Sequence, residues 1–145
     1  MDLLEPLPKV DHGHVVAAIA AAELLSSGEV RVVISRAKTT DPIASAQKHF
    51  EKLGMTNTRE RNSVLIYVAP RSRNFAIIGD SGIHEKCGDS FWRLVAAEME
   101  SHFRRGEFTE GLVRGIDHAG KLLAENFPRT PDDKNELPDK VEEAD

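Results

Sequence analysis

The segment RNSVLIYVAPRSRNFAIIGDSGIHEKCGDSFW, residues 61–92, decides the fold of this chain. It contains an apolar strand from Val64 to Ala69, a polar turn from Pro70 to Asn74, and a second apolar strand from Phe75 to Ile78. A strand that is apolar at nearly every position is typical of a central strand covered on both faces. The short turn predicts that the two strands pair antiparallel, as a hairpin.

The sequence before this segment alternates between helix and strand. Asp11 is a suitable N-cap for a helix that runs to about Ser26, and the alternating apolar residues of Glu29 to Arg36 predict a strand. A second helix follows and ends at Gly54. Because this helix connects two strands, the strands should be parallel. We therefore expect an α/β fold in which a mixed central sheet, made of a βαβ unit and an antiparallel hairpin, lies between helices.

The rest of the chain predicts two more helices and an acidic tail. One helix should run from about Asp89 to Arg104, and the other should start near Glu107. Residues 127–145 combine prolines with dense charge, which predicts disorder. Residues 1–10 form a short lead, so residues 11–126 are expected to make a single domain.

Composition excludes several classes of protein. The formal net charge is -5, and most of it comes from the segment that starts at Pro128, which has seven acidic and three basic residues. The preceding part of the chain is therefore nearly neutral. It has no basic stripe that could bind nucleic acid. The single cysteine, Cys87, excludes an internal disulfide. The first residues do not resemble a signal peptide, and no apolar run approaches the roughly 20 residues of a membrane span. We expect a cytoplasmic protein without a membrane span.

The predicted topology brings acidic residues to one edge of the sheet. Glu29 begins the first strand and Asn62 precedes the second, and these parallel strands start at the same edge. Asp80 ends at that edge too, because its strand runs the opposite way. Glu23, in the last turn of the first helix, and Asp89, at the start of a later helix, should lie close by. Asp41 follows the other end of the first strand and is excluded.

Carboxylate and amide oxygens are the donors that calcium prefers in proteins. The sequence therefore predicts a divalent-cation site, for Ca²⁺ or else Mg²⁺, assembled from distant segments. The predicted ligands are Asp80, Asp89, Glu29, Asn62 and Glu23. A structural interpretation stays open for single residues: Asp89 is also a good N-cap, and both glutamates suit a solvated surface.

Two residues are weak candidates for catalysis. His84 lies on the predicted loop between Asp80 and Asp89 and has the chemistry of a general acid or base, although a surface histidine is the commoner explanation. Arg61 has the chemistry to hold a phosphate, or else it pairs with Glu60 or with a carboxylate of the predicted site. No nucleophile motif or phosphate-binding loop is present.

The chain resembles the TPM domain family over roughly residues 11 to 126. That family includes a thylakoid lumen acid phosphatase, a photosystem II repair factor and bacterial proteins of unknown role. The order and spacing of several short segments carry the resemblance. They are Ala22-Glu23, Ser27 to Val32, FEKLGM at residues 50–55, Arg61 to Pro70, Ile78 to Ile83, Gly88-Asp89, Phe103 to Phe108 and Gly111-Leu112.

The resemblance implies an α/β sandwich, divalent-cation binding at loops on one sheet edge, and acid phosphatase activity of the kind reported for plant members. Asn62 and Asp89 match the family's asparagine before the central strand and its acidic residue before the long helix. Ser63 and Asp80 depart from the glycine and aromatic residue of many members. We expect a cation-binding regulatory module that docks a protein partner. The alternative is metal-assisted hydrolysis of a small phosphomonoester.

Overall fold

A mixed β-sheet lies at the centre of the fold. The structure is a computed structural model, and it describes residues 10–88, 90–129 and 141–144. The strands are β1 (Glu29–Ser35), β2 (Ser63–Ala69), β3 (Asn74–Gly79) and β4 (Val141–Ala144). The helices are α1 (His12–Leu25), α2 (Pro42–Lys52), α3 (Ser81–Cys87), α4 (Ser90–Arg104) and α5 (Phe108–Asn126), and a 3₁₀ turn (Pro70–Ser72) joins β2 to β3.

The strand order is β3-β2-β1-β4. β1 and β2 are parallel, with Glu29 opposite Ser63, and α2 is the crossover between them. β2 and β3 are antiparallel, with Val64 opposite Gly79. The expected βαβ unit, hairpin and α/β class are therefore confirmed.

The two faces of the sheet carry separate apolar clusters because side chains alternate along each strand. On one face Val32 and Ile66 pack among residues of α1, α4 and α5. On the other face Val33 and Leu65 pack with residues of α2 such as Phe50. Every residue of β1 and β2 is buried, as the apolar run of β2 predicts.

The N-terminal caps of α1 and α2 have the geometry that helix starts require. Asp11 Oδ1 accepts from the backbone N–H of His14 at 3.0 Å, at the start of α1. Asp41 Oδ1 accepts from Ala44 N–H at 3.0 Å, and Pro42 occupies the first turn of α2. Each carboxylate satisfies a backbone donor that has no partner within its own helix. The predicted start of the first helix is confirmed.

The structure differs from the sequence-based expectation at α3. The sequence predicts a loop between Asp80 and Asp89, whereas Ser81–Cys87 is helical, with Asp80 as its N-cap. Gly82 in this helix allows close packing against a neighbouring segment. A Cβ on Gly82 would lie 2.2 Å from the carbonyl oxygen of Glu60. The glycine is thus required by a neighbouring chain segment rather than by a turn.

The structure describes residues 127–129 and 141–144 of the predicted acidic tail. Phe127 is buried in the core, and Pro128 forms an antiparallel bridge with Ser26. β4 pairs in parallel with β1, with Val32 opposite Val141. The open edge of β1 presents backbone hydrogen-bonding groups that a further strand can satisfy. Residues 1–9, 130–140 and 145 lie outside the described residues.

Replacing Gly120 with alanine tests the close approach of α1 and α5. A Cβ at this position would lie 2.7 Å from the Cβ of Ala22, so the two helices would have to move apart. We expect Gly120→Ala to lower the free energy of unfolding by about 1–3 kcal/mol in urea denaturation.

The matched control is Gly13→Ala in α1, where the nearest neighbour of the new Cβ would be Asp11 Oδ1 at 3.5 Å. Since this position has space, alanine should be neutral or stabilising by up to about 1 kcal/mol. Equal losses in the two variants would contradict the packing argument.

Candidate functional site

The edge of the sheet where β1 and β2 begin carries buried polar side chains. Glu23, Glu29, Asn62 and Asp80 are each between 1% and 6% exposed. Main-chain bonds hold this edge together: Glu29 N–H donates to the carbonyl of Asn62 at 3.4 Å, and Asp80 N–H donates to the carbonyl of Ser63 at 3.0 Å. The structure thus places Glu29, Asn62 and Asp80 at one edge. Asp89 lies outside the described residues.

Asp80 forms a bidentate ion pair with Arg61. Arg61 Nε donates to Asp80 Oδ2 at 2.5 Å, and a terminal nitrogen of Arg61 donates to Oδ1 at 2.7 Å. Oδ1 also accepts from Ser81 N–H at 2.8 Å. The hydrogen bond with Asp80 raises the pKa of the Arg61 guanidinium, and their charge attraction adds to this effect. Both carboxylate oxygens of Asp80 are therefore engaged within the protein.

Asn62 is held by Ser27 and Glu60, which the sequence did not identify as its partners. Its Nδ2 donates to Ser27 Oγ at 3.0 Å and to Glu60 Oε2 at 3.1 Å. The Ser27 hydroxyl donates to the same Glu60 oxygen in a short bond. Glu60 follows the second helix by eight residues and Ser27 follows the first helix, so nothing in their local sequence reveals that they meet.

The orientation of the Asn62 amide follows from these partners. A carboxylate only accepts hydrogen bonds, so the NH₂ end of the amide must face Glu60. The Oδ1 atom consequently points away from Glu60 and Ser27. Within the described residues this oxygen is buried and accepts no hydrogen bond. A buried acceptor without a hydrogen bond is costly, which marks it as an atom suited to a ligand.

Glu23 links α1 to the first strand. Its Oε2 accepts from Val30 N–H at 2.8 Å, and its backbone carbonyl accepts from Arg129 at 2.6 Å. Glu23 reaches Val30 from the face of the sheet that α1 covers, whereas alternation along β1 places Glu29 on the same face as Val33. A ligand that touched both carboxylates would have to lie beyond the strand ends.

No cluster of three or more histidine, cysteine, aspartate or glutamate side chains in residues 10–88, 90–129 and 141–144 has the arrangement of a metal centre. The donor chemistry nevertheless suits a hard cation: the side chains at this edge supply carboxylate and amide oxygens, which calcium favours. The buried Oδ1 of Asn62 fits the same requirement.

The two weak catalytic candidates both lie close to Asp80. His84 is exposed on α3 and lines, together with Asp80, a cleft of about 580 Å³ against α2. Arg61 is held by Asp80, as one of the interpretations of the sequence anticipated. No helix of the described ranges has the length and apolar character needed to cross a membrane.

Comparison with known proteins places this fold in a family. A family model described as the TPM domain matches residues 2–122. The chain belongs to the TPM domain family. A search of curated proteins finds no match for this TPM domain.

Solved structures resemble this TPM domain. The NMR structure of the BA42 protein from the psychrophilic bacterium Bizionia argentinensis is 38% identical, with a TM-score of 0.88 and 97% coverage of both chains. The N-terminal domain of a P. gingivalis protein is 20% identical, with a TM-score of 0.59, over 79% of this chain and 76% of that one. The N-terminal domain of cg2496 from Corynebacterium glutamicum is 15% identical, with a TM-score of 0.59, over 75% and 68%. The last two show the fold alone.

The variant Asp80→Asn distinguishes the contribution of the Arg61–Asp80 ion pair to stability from the contribution of the helix cap in this TPM domain. Asparagine caps a helix about as well as aspartate, but it cannot form a charged bidentate pair with Arg61. We expect a clearly lower urea midpoint with an unchanged m-value, because the Asp80 site is buried. Asp41→Asn is the control, since Asp41 caps α2 but is exposed. If both variants unfold at the wild-type midpoint, the pair contributes nothing to stability.

Proposed function

We propose that this TPM domain binds a divalent cation, calcium in preference to magnesium, at the sheet edge where β1 and β2 begin. The observation that carries the proposal is the buried Oδ1 of Asn62, which is oriented by Glu60 and Ser27 and accepts no hydrogen bond within the described residues. An oxygen fixed in this way loses little conformational entropy when it binds a ligand.

Carboxylates at the same edge would supply the charge that a cation needs. Glu29 and Glu23 are buried there, and Asp89 is a further acidic candidate from the sequence. Asp80 would join the ligand set only by giving up Arg61, because both of its oxygens are engaged. Calcium accepts six to eight oxygens in irregular geometry, whereas magnesium requires a near-octahedral set. Ligands from separate segments therefore favour calcium.

In this proposal the cation has a regulatory role. Binding would join β1, the segment before β2 and the start of α3, which are separate in the chain. Fixing these segments relative to one another would prepare a surface for a protein partner, since ordering before association lowers the entropic cost of binding.

An amide NMR titration of the full chain with calcium, with magnesium as the comparison cation, tests this proposal. Saturable shifts should be confined to residues 27–31, 60–64 and 80–90. We expect Glu29→Gln to weaken calcium binding about tenfold, because it removes one charge from the ligand set.

Asp41→Asn is the matched control, because it removes a carboxylate at the opposite end of β1. It should leave the calcium affinity unchanged. Calcium affinities that are the same in wild type and Glu29→Gln, or shifts spread over the whole surface, would refute the site.

Metal-assisted hydrolysis of a small phosphomonoester is the second candidate. The cleft shared by Asp80 and His84 favours it, since an acidic residue and an exposed imidazole lie beside one open volume. A bound cation would polarise the phosphoryl oxygens and activate a water, which would attack phosphorus as the P–O bond to the leaving group breaks. His84 would protonate the leaving group, and Arg61 would hold the phosphate after releasing Asp80.

Hydrolysis of p-nitrophenyl phosphate with calcium or magnesium tests this alternative. His84→Gln should lower kcat by about 100-fold if His84 is the general acid. His14→Gln, a change of an exposed histidine on α1, should leave the rate unaltered. Calcium binding without turnover would exclude the hydrolase and retain the binding module.

A further inference from the structure

A second cleft lies at the other end of the sheet. It has a volume of about 830 Å³ and is formed by the end of β2, the turn into β3, and the junction of α4 with α5. The residues that line it include Arg73, Phe75, Glu100, Phe103, Arg104 and Phe108. Its volume lies within the range of small-molecule sites. The length of β2, about 20 Å for seven residues, separates it from the proposed cation site.

The wall of this cleft is aromatic. Phe103 packs edge-on against Phe75 and stacks on Phe108, with ring centroids 5.3 Å apart in both pairs. All three rings are only partly buried, so the cleft leaves aromatic surface open. Backbone bonds fix the turn between the two helices that carry Phe103 and Phe108: Gly106 N–H donates to the Phe103 carbonyl at 3.0 Å. The aromatic wall is therefore formed before any ligand binds.

The rim of the cleft is cationic. Arg104 bonds to Glu100 at 2.5 Å through one nitrogen, which leaves its other N–H groups available. Arg73 is exposed, and within the described ranges its guanidinium makes no ion pair. Arg73 also adopts a positive φ of 56°, a conformation that costs a non-glycine residue energy. The lining thus carries two guanidinium groups and one carboxylate beside an aromatic surface.

We propose that this cleft binds a small aromatic anion, with the ring against Phe103 and Phe108 and the acid group at Arg73 and Arg104. A guanidinium matches a carboxylate or a phosphate with two parallel hydrogen bonds. The aromatic wall supplies the area that a ring buries, and the positive rim selects a negative ligand. The site is independent of the proposed cation site, since it shares no residue with it.

Amide NMR titration of the full chain with 3-phenylpropionate tests the proposal, and the uncharged 3-phenylpropanamide serves as the comparison ligand. We expect saturable shifts in residues 68–75 and 100–108, and about tenfold weaker binding of the amide. Equal affinity for the two probes, shifts elsewhere, or the absence of saturation would overturn the proposal.

Two arginine variants locate the charge that selects the anion. Arg104→Gln should weaken 3-phenylpropionate binding about fivefold and leave phenylpropanamide binding unchanged. Arg114→Gln is the matched control, because Arg114 is an exposed helical arginine that bonds to Glu110 four residues earlier, just as Arg104 bonds to Glu100. Equal losses in these two variants would show a general charge effect and refute the site.

Arg73→Asn removes the second charge with little strain, since asparagine tolerates a positive φ. It should also reduce the preference for the anion, and the double variant with Arg104→Gln should bind both probes equally. If the double variant keeps the wild-type preference, the rim does not recognise the acid group.

Discussion

The parallel pairing of β1 with β2 is the contact on which the other elements depend. Both strands are buried on both faces, so neither is stable unless helices cover the sheet from each side. Each fully buried valine, leucine or isoleucine in these strands contributes about 1.5–3 kcal/mol from apolar burial. The α2 crossover covers one face, and α1, α4 and α5 cover the other.

Because the strands are buried, each polar side chain at their ends needs a hydrogen-bond partner or a ligand. A carboxylate in a closed edge must have partners, and Asp80 and Glu23 have them in Arg61 and the Val30 backbone. The Oδ1 of Asn62 is as buried as its neighbours and accepts no hydrogen bond within the described residues.

Much of the fold could be predicted because its signals are local. The apolar run of β2, the hairpin turn and the Asp11 cap each depend on a few adjacent residues. α3 could not be predicted, because Gly82 serves contact with the Glu60 backbone, which is distant in sequence. The contribution of residues 141–144 to the sheet depends likewise on the open edge of β1.

For the candidate site, the predicted strand topology correctly placed Glu29, Asn62 and Asp80 at one edge of the sheet. The hydrogen bonds that decide which oxygens are available could not be deduced from the sequence. They depend on Glu60 and Ser27, whose meeting is set by tertiary packing.

The pairing of β4 with β1 has a consequence for self-association. β1 lies next to the sheet centre, and β4 covers the side of it that faces away from β2. A chain cleaved before Val141 would present a row of bare amide and carbonyl groups on a strand rich in valine and isoleucine. Such an edge is a template for strand addition by another molecule. β4 therefore protects the edge of β1 from intermolecular strand addition, and its removal would favour assembly through this edge.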